Sequence, residues 1–165
     1  MIEKDPAHMK PLLTFAKLAF FAFALLLGLP ASSQHDHLGG AVEDPRFLAQ
    51  FPPMMQAHIL ANMRDHLLAI SQIQEAMAAA NYDKASQIAE ERLGQTALKT
   101  HGAYENSQFM PPMMQEFGNQ MHRNASKFAI EIQNSSATGD SKPALLALSK
   151  TTQACVSCHA AFRLK

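Results

Sequence analysis

Two cysteines and a histidine crowded into five residues near the end of the chain, Cys155-Val156-Ser157-Cys158-His159, limit its fold more than anything upstream. Cys155, Cys158 and His159 form a C-x-x-C-H pattern, the arrangement that attaches a c-type haem. Two thiols three residues apart can each add to one vinyl group of a single porphyrin, and the adjacent imidazole is then carried to the iron. A redox dithiol and half of a zinc site are the rival readings. Zinc would need further ligands at ordered spacing, and the 165 residues hold only these two cysteines. A thioredoxin-like dithiol belongs beside a strand–helix unit, whereas the chain before Cys155 carries a helical pattern.

The opposite end of the chain supplies the compartment. Lys4, Lys10 and Lys17 precede or enter an apolar run from Leu18 to Leu29, and Pro30-Ala31-Ser32-Ser33 offers small residues for cleavage after Ser33. Residues 1–33 therefore read as a secretory signal peptide, which places the mature chain in the periplasm. The run is short for a membrane span, although Phe15 and Ala16 could extend it into an uncleaved anchor. Haem c is assembled outside the cytoplasm, so signal and motif support each other. The 14 basic and 14 acidic side chains of the whole chain cancel, and a mature chain of 132 residues keeps eleven and twelve, so nothing points to nucleic acid or an acidic substrate. Ten methionines and no tryptophan suit either a plastic core or a soft metal ligand.

Residues 34–51 read as a polar, loose leader with turn signals at Gly39-Gly40 and Asp44-Pro45. Its His35-Asp36-His37 could bind a metal, but reads better as a solvated tail because nothing nearby completes a site. Pro52-Pro53 opens a long helix in which Ile59, Met63, His66, Ile70, Ile73 and Met77 form one buried face. Asn81 stops it and caps the next, whose inner side is Ala85, Ile88, Ala89, Arg92 and Leu93, with Gly94 near its end. Gln95 to Phe109 is predicted to be a helix end followed by a loop. Pro111-Pro112 opens a third helix with Met114, Phe117, Met121, Ala125, Phe128 and Ile132 inward. Asn134 to Asp140 reads as a break, and Ser141 as the cap of a last helix. The spacing of Leu145, Leu148, Thr152, Cys155, His159 and Phe162 predicts one core-facing stripe there. Four amphipathic helices without a strand pattern predict an all-α, antiparallel four-helix bundle over residues 52–165, with covalent haem near the C-terminal helix. A weak internal echo, Phe51-Pro52-Pro53-Met54-Met55-Gln56 against Met110-Pro111-Pro112-Met113-Met114-Gln115, reads as two similar helix starts.

An exported four-helix chain with C-x-x-C-H in its last helix, continued by Ala160-Ala161-Phe162-Arg163, resembles the cytochrome c-prime family. The likeness covers helix layout from about Pro52 onward and reaches motif level only at Cys155 to Arg163. It implies one covalent haem c, with thioethers at Cys155 and Cys158, His159 as the proximal iron ligand and Arg163 as a cofactor-binding residue near the proximal face. A cationic helix end is the ordinary alternative for Arg163. The resemblance also implies redox partner proteins in the periplasm and a homodimer formed through the first two helices. Membrane contact enters only through the signal segment, if it stays uncleaved.

The family divides at the sixth iron position. Low-spin members fill it with a first-helix methionine and carry electrons, whereas high-spin members leave it open and bind nitric oxide or carbon monoxide. Met63 is the leading distal ligand here, with His66 the alternative, Met55 behind it and an open site as the remaining reading. Family members usually carry an arginine one turn before the distal residue, but here that position is Ile59 and the first arginine of the helix is Arg64. His122 beside Met121 is an outside candidate, read as a surface-side histidine. The leading expectation is a monohaem one-electron carrier, the second a gas-binding haem protein, and the third a metal-handling protein using His35, His37 and the methionines. No nucleophile–base pair, carboxylate pair or phosphate loop is present, which argues against an enzyme.

Overall fold

The structure, a computed structural model, describes residues 43–165. The predicted signal segment and His35-Asp36-His37 lie outside the described residues. Among those described, six helices and one two-stranded ladder occur: β1 (Phe47–Leu48), α1 (Pro53–Ala78), α2 (Tyr82–Arg92), α3 (Ala97–Thr100), α4 (Ala103–Ser107), α5 (Pro112–Thr138), α6 (Lys142–Ala161) and β2 (Phe162–Arg163). The class is all-α. The three longest helices, α1, α5 and α6, run for 26, 27 and 20 residues.

Both long proline starts behave as expected. Pro52 and Pro111 hold extended backbone, and each helix begins at the next proline, where a missing N–H costs nothing. Asn81 accepts a hydrogen bond from the backbone N–H of Lys84 at 3.2 Å, capping α2. The inward faces expected for α1, α2 and α5 are buried or half-buried throughout. Arg92 belongs to such a face because Asp65 and Gln72 of α1 receive its guanidinium.

Alanine dominates the main core. Ala69, Ile73 and Ala76 of α1, Ala85, Ala89 and Leu93 around α2, and Ala125, Phe128, Ala129 and Ile132 of α5 meet Ala144 of α6. Small side chains let helix axes approach closely, and Phe128, fully buried, is the largest filler between them. α1 packs on α2, α2 on α5, and α5 most extensively on α6.

Four expectations need correction. Gln95 to Phe109 is not a helix end followed by a loop: α3 and α4 are separate short helices joined at Gly102, whose φ is 60°. A Cβ there would stand 3.1 Å from His58 Nε2, so glycine suits both the backbone conformation and the close approach. Second, α5 continues through most of the supposed break to Thr138. The hydroxyls of Ser135 and Thr138 donate back to the carbonyls of Glu131 and Asn134 at 2.9 and 2.8 Å, which keeps these polar residues inside the helix until Gly139, at φ 73°. Ser141 makes no capping bond; Asp140 Oδ1 instead accepts the Lys142 N–H at 3.0 Å.

The fourth correction matters most. The expected α6 stripe is inward only in part: Leu148 packs on the core, Thr152 and Cys155 are half-buried and Phe162 is buried, but Leu145 is 56% exposed and His159 is exposed, and the fully buried positions of the helix are Ala144, Thr151 and Ala154. Ala144, Ala147 and Leu148 supply the contact with the main core, and the small side chains among them let α6 approach α5 closely.

Part of the expected leader is also ordered. β1 pairs in parallel with β2, Phe47 opposite Phe162 and Leu48 opposite Arg163, and Ala49 N–H donates to Arg163 O at 2.9 Å.

At the α1–α2 turn, Ala80 has φ 55°, a left-handed conformation in which a Cβ is strained. Ala80→Gly is expected to raise stability by about 0.5–1 kcal/mol, because relief of strain exceeds the added chain entropy. Thermal melts would read this as an increase of a few degrees in Tm.

Candidate functional site

The C-x-x-C-H residues occupy the last turns of α6. Cys155 is half-buried and its thiol points to the carbonyl of Thr151 at 3.6 Å. Cys158 packs with Ala49, Met114, Phe117 and Phe162 in a small second core. Burial pushes both thiols above their usual pKa, and in Cys158 the neighbouring Cys155 adds to the effect. They therefore lack the depressed pKa of a reactive redox dithiol.

Two strand residues and an ion pair hold the end of this helix. Phe162 leaves α6 in extended conformation and meets Phe47 edge-on, with ring centres 5.9 Å apart. Arg46 donates to the backbone carbonyl of His159 at 3.2 Å while its other nitrogens grip Asp44. That hydrogen bonding holds the Asp44 carboxyl down at about 2. Arg163 approaches Asp44 at 3.7 Å, yet its buried Nε has no hydrogen-bond partner.

On α6, Leu145, Val156 and His159 are exposed, with Thr152 half-buried. α1 shows a matching line at steps of four and three: Gln56, Leu60, Met63 and Leu67. Leu60 and Leu67 are 39% and 71% exposed. Gln56 donates to the Lys165 carbonyl at 2.6 Å, which ties the first turns of α1 to the end of the chain after α6.

A second polar centre lies between α1, α3, α4 and α5. His66, His101 and His122 are each less than 9% exposed, with ring centres 4.9, 5.7 and 5.9 Å apart. His66 Nε2 stands 3.3 Å from His101 Nδ1. His122 Nδ1 donates to the carbonyls of Leu93 and Gly94 at 2.8 and 3.1 Å. The His101 carbonyl gathers Nε2 of His58 and the side-chain amides of Asn62 and Asn106 at 2.8 to 2.9 Å, fastening the α3–α4 segment to α1. These rings border a cavity of about 120 Å³ shared with Met63, Met110 and Met121. A larger depression beside Ser86 and Gln133 contains none of the candidate residues.

The structure thus gathers Met63 and His66 with His101 and His122, and no residue of α6 lines that cavity. Met54 is 81% exposed at the start of α1, and Met55 is half-buried. His122, expected at the surface, is buried: the inward stripe of α5 is wide enough to take in the position after Met121. His101 and Asn106 escaped the sequence reading because they lie in the irregular segment, where no period marks a buried position. The adjacent His101-Gly102 pair, a polar ring before a left-handed turn, was the one local signal.

Compared with models of protein families, with characterised proteins and with solved structures, the chain gives no significant match in any of the three.

Desolvation, reinforced by the neighbouring imidazoles, lowers His66 to about 3, and burial lowers His101 and His122 as well. The unfolded chain takes up protons below about 6.5 while the folded cluster resists them, so stability is full above that pH and falls as pH drops towards 3. Each pH unit inside the window costs up to about 1.4 kcal/mol per such histidine. Chemical denaturation from pH 7.5 to 4 should show this slope, and His66→Gln should flatten it.

Proposed function

We propose that this protein is an exported monohaem c-type cytochrome that carries single electrons, built as an antiparallel four-helix bundle of α1, α2, α5 and α6. The observation that carries the reading is the presentation of Cys155, Cys158 and His159 on the last turns of α6. Both thiols are half-buried, Cys158 among apolar neighbours, and the imidazole is exposed in the last turn of α6.

Two further features fit the cofactor. The buried Nε–H of Arg163, in the strand that follows α6, faces Asp44 at 3.7 Å without a hydrogen bond and could accept a closer anionic partner such as a haem propionate. The exposed apolar residues Leu60 and Leu67 of α1 and Val156 of α6 offer non-polar surface of the kind a porphyrin buries. Residue by residue, Cys155 and Cys158 would hold the group, His159 would bind its iron, and Arg163 would take up carboxylate charge.

When bound, the haem supplies reversible one-electron chemistry, with a potential set by axial ligands and burial. The chain contributes the rest. Arg46, anchored by Asp44, holds the His159 carbonyl and so fixes the last turn of α6. The β1–β2 ladder secures the residues that follow it. Met63 is the favoured distal ligand because His66 already pairs with His101 inside the cavity. Leu60 and Leu67 flank Met63 on the same line of α1 and would keep water away from that side.

The test is an absorption spectrum of protein from a host that assembles haem c, taken oxidised, reduced, and reduced with carbon monoxide. Covalent haem with a low-spin spectrum insensitive to carbon monoxide is expected. Cys155→Ser/Cys158→Ser should abolish covalent attachment, and Met63→Ala should convert the iron to a high-spin, carbon-monoxide-binding form. A high-spin spectrum in the unsubstituted protein would replace the electron carrier with a gas-binding protein. Absence of covalent haem would overturn both.

A further inference from the structure

The buried histidines of α1, α3 and α5 form a set of donors that the haem reading does not use. We propose that His66, His101 and His122 bind a single d10 metal ion, Zn2+ or Cu+, in the cavity they share with Met63, Met110 and Met121. This inference does not rest on the haem assignment: of the residues lining the cavity the haem reading uses Met63 alone, and none of the three histidines is among its ligands.

The argument begins with distances. Two nitrogens bound about 2.05 Å from a tetrahedral ion stand about 3.3 Å apart, and if ring centres lie roughly 1.2 Å behind them these are about 5.2 Å apart. His66 Nε2 and His101 Nδ1 are separated by 3.3 Å. The three ring-centre distances, 4.9, 5.7 and 5.9 Å, bracket the tetrahedral value. No group of three or more His, Cys, Asp or Glu among the described residues is already set to hold a metal. Ligation therefore requires the three rings, and His122 above all, to close together around the ion, since its ring centre stands 5.7 and 5.9 Å from the other two.

The surroundings then select the ion. His122 donates Nδ1–H to the carbonyls of Leu93 and Gly94, which fixes the tautomer and leaves Nε2 with a lone pair, as metal-binding histidines commonly require. Asn106, 3% exposed and lining the same cavity, has a buried Oδ1 without a hydrogen-bond partner. An orphaned acceptor of that kind is costly unless a ligand or its bound water satisfies it. Three imidazoles with thioethers nearby suit zinc and copper and do not suit magnesium or calcium, which want oxygen. A d10 ion imposes no geometry of its own and accepts the tetrahedral arrangement.

The full chain would be titrated with Zn2+ and, separately and anaerobically, with Cu+, each under chelator competition. The titrations would be repeated in a His35→Ala/His37→Ala/Cys155→Ser/Cys158→Ser background, which removes the tail histidines and both thiols and keeps the result separate from haem attachment. One equivalent should bind in both forms, and saturation should raise Tm. His101→Gln and His122→Gln should each weaken binding at least tenfold. Tight binding of zinc alone, or of copper alone, identifies the ion and supports the site. X-ray absorption at the metal edge of the unsubstituted, loaded protein should resolve three imidazoles, a readout that stands even if a variant fails to fold. No bound equivalent, fewer than two imidazoles, or unchanged affinity in folded His101→Gln and His122→Gln would overturn the proposal.

Discussion

Everything at the C-terminal end of this protein depends on how closely α6 lies against α5. Ala144, with Ala147 and Leu148 beside it, meets an α5 face built from Ala125, Phe128, Ala129 and Ile132, and such small residues allow near approach of the two backbones. Thr151 and Ala154 are buried further along α6, while His159 in its last turn stays exposed.

The same end is secured a second time by residues far away in sequence. Phe47 and Leu48 add one parallel strand to Phe162 and Arg163, and Arg46 reaches the His159 carbonyl. A ladder two residues long is weak alone. Here it borrows stability from the small core of Ala49, Met114 and Phe162, so the segment before α1 and the end of α6 order together. The helix terminus that carries Cys155, Cys158 and His159 is thus held by more than its own hydrogen bonds.

The histidine cluster rests on a different economy. In three buried imidazoles desolvation disfavours the protonated form and outweighs the opposing pull of Asp65 and Glu90. The His101 carbonyl, taken by three side-chain donors, makes the α3–α4 segment part of the wall and not a passing loop. Polar bonding thus does in this corner what alanine packing does in the main core. Both arrangements fix one relative placement of helices, one by shape and one by direction.

Much of the helical layout was legible in the residues. Proline pairs marked two helix starts, Asn81 marked a cap, and the three–four rhythm of Ile59 to Met77 and of Met114 to Ile132 marked inward faces, because those signals act within one or two turns. The C-x-x-C-H pattern is equally local and named its candidate chemistry outright. Only the tertiary structure decided which side of α6 faces α5, since that turns on the fit of Ala144, Ala147 and Leu148 against another helix. It alone brought His66, His101 and His122 together, because positions 35 and 21 residues apart share no period and meet only when α1, α3 and α5 are packed. Local sequence determined the elements and the reactive residues; close packing between elements decided which of those residues share a cavity.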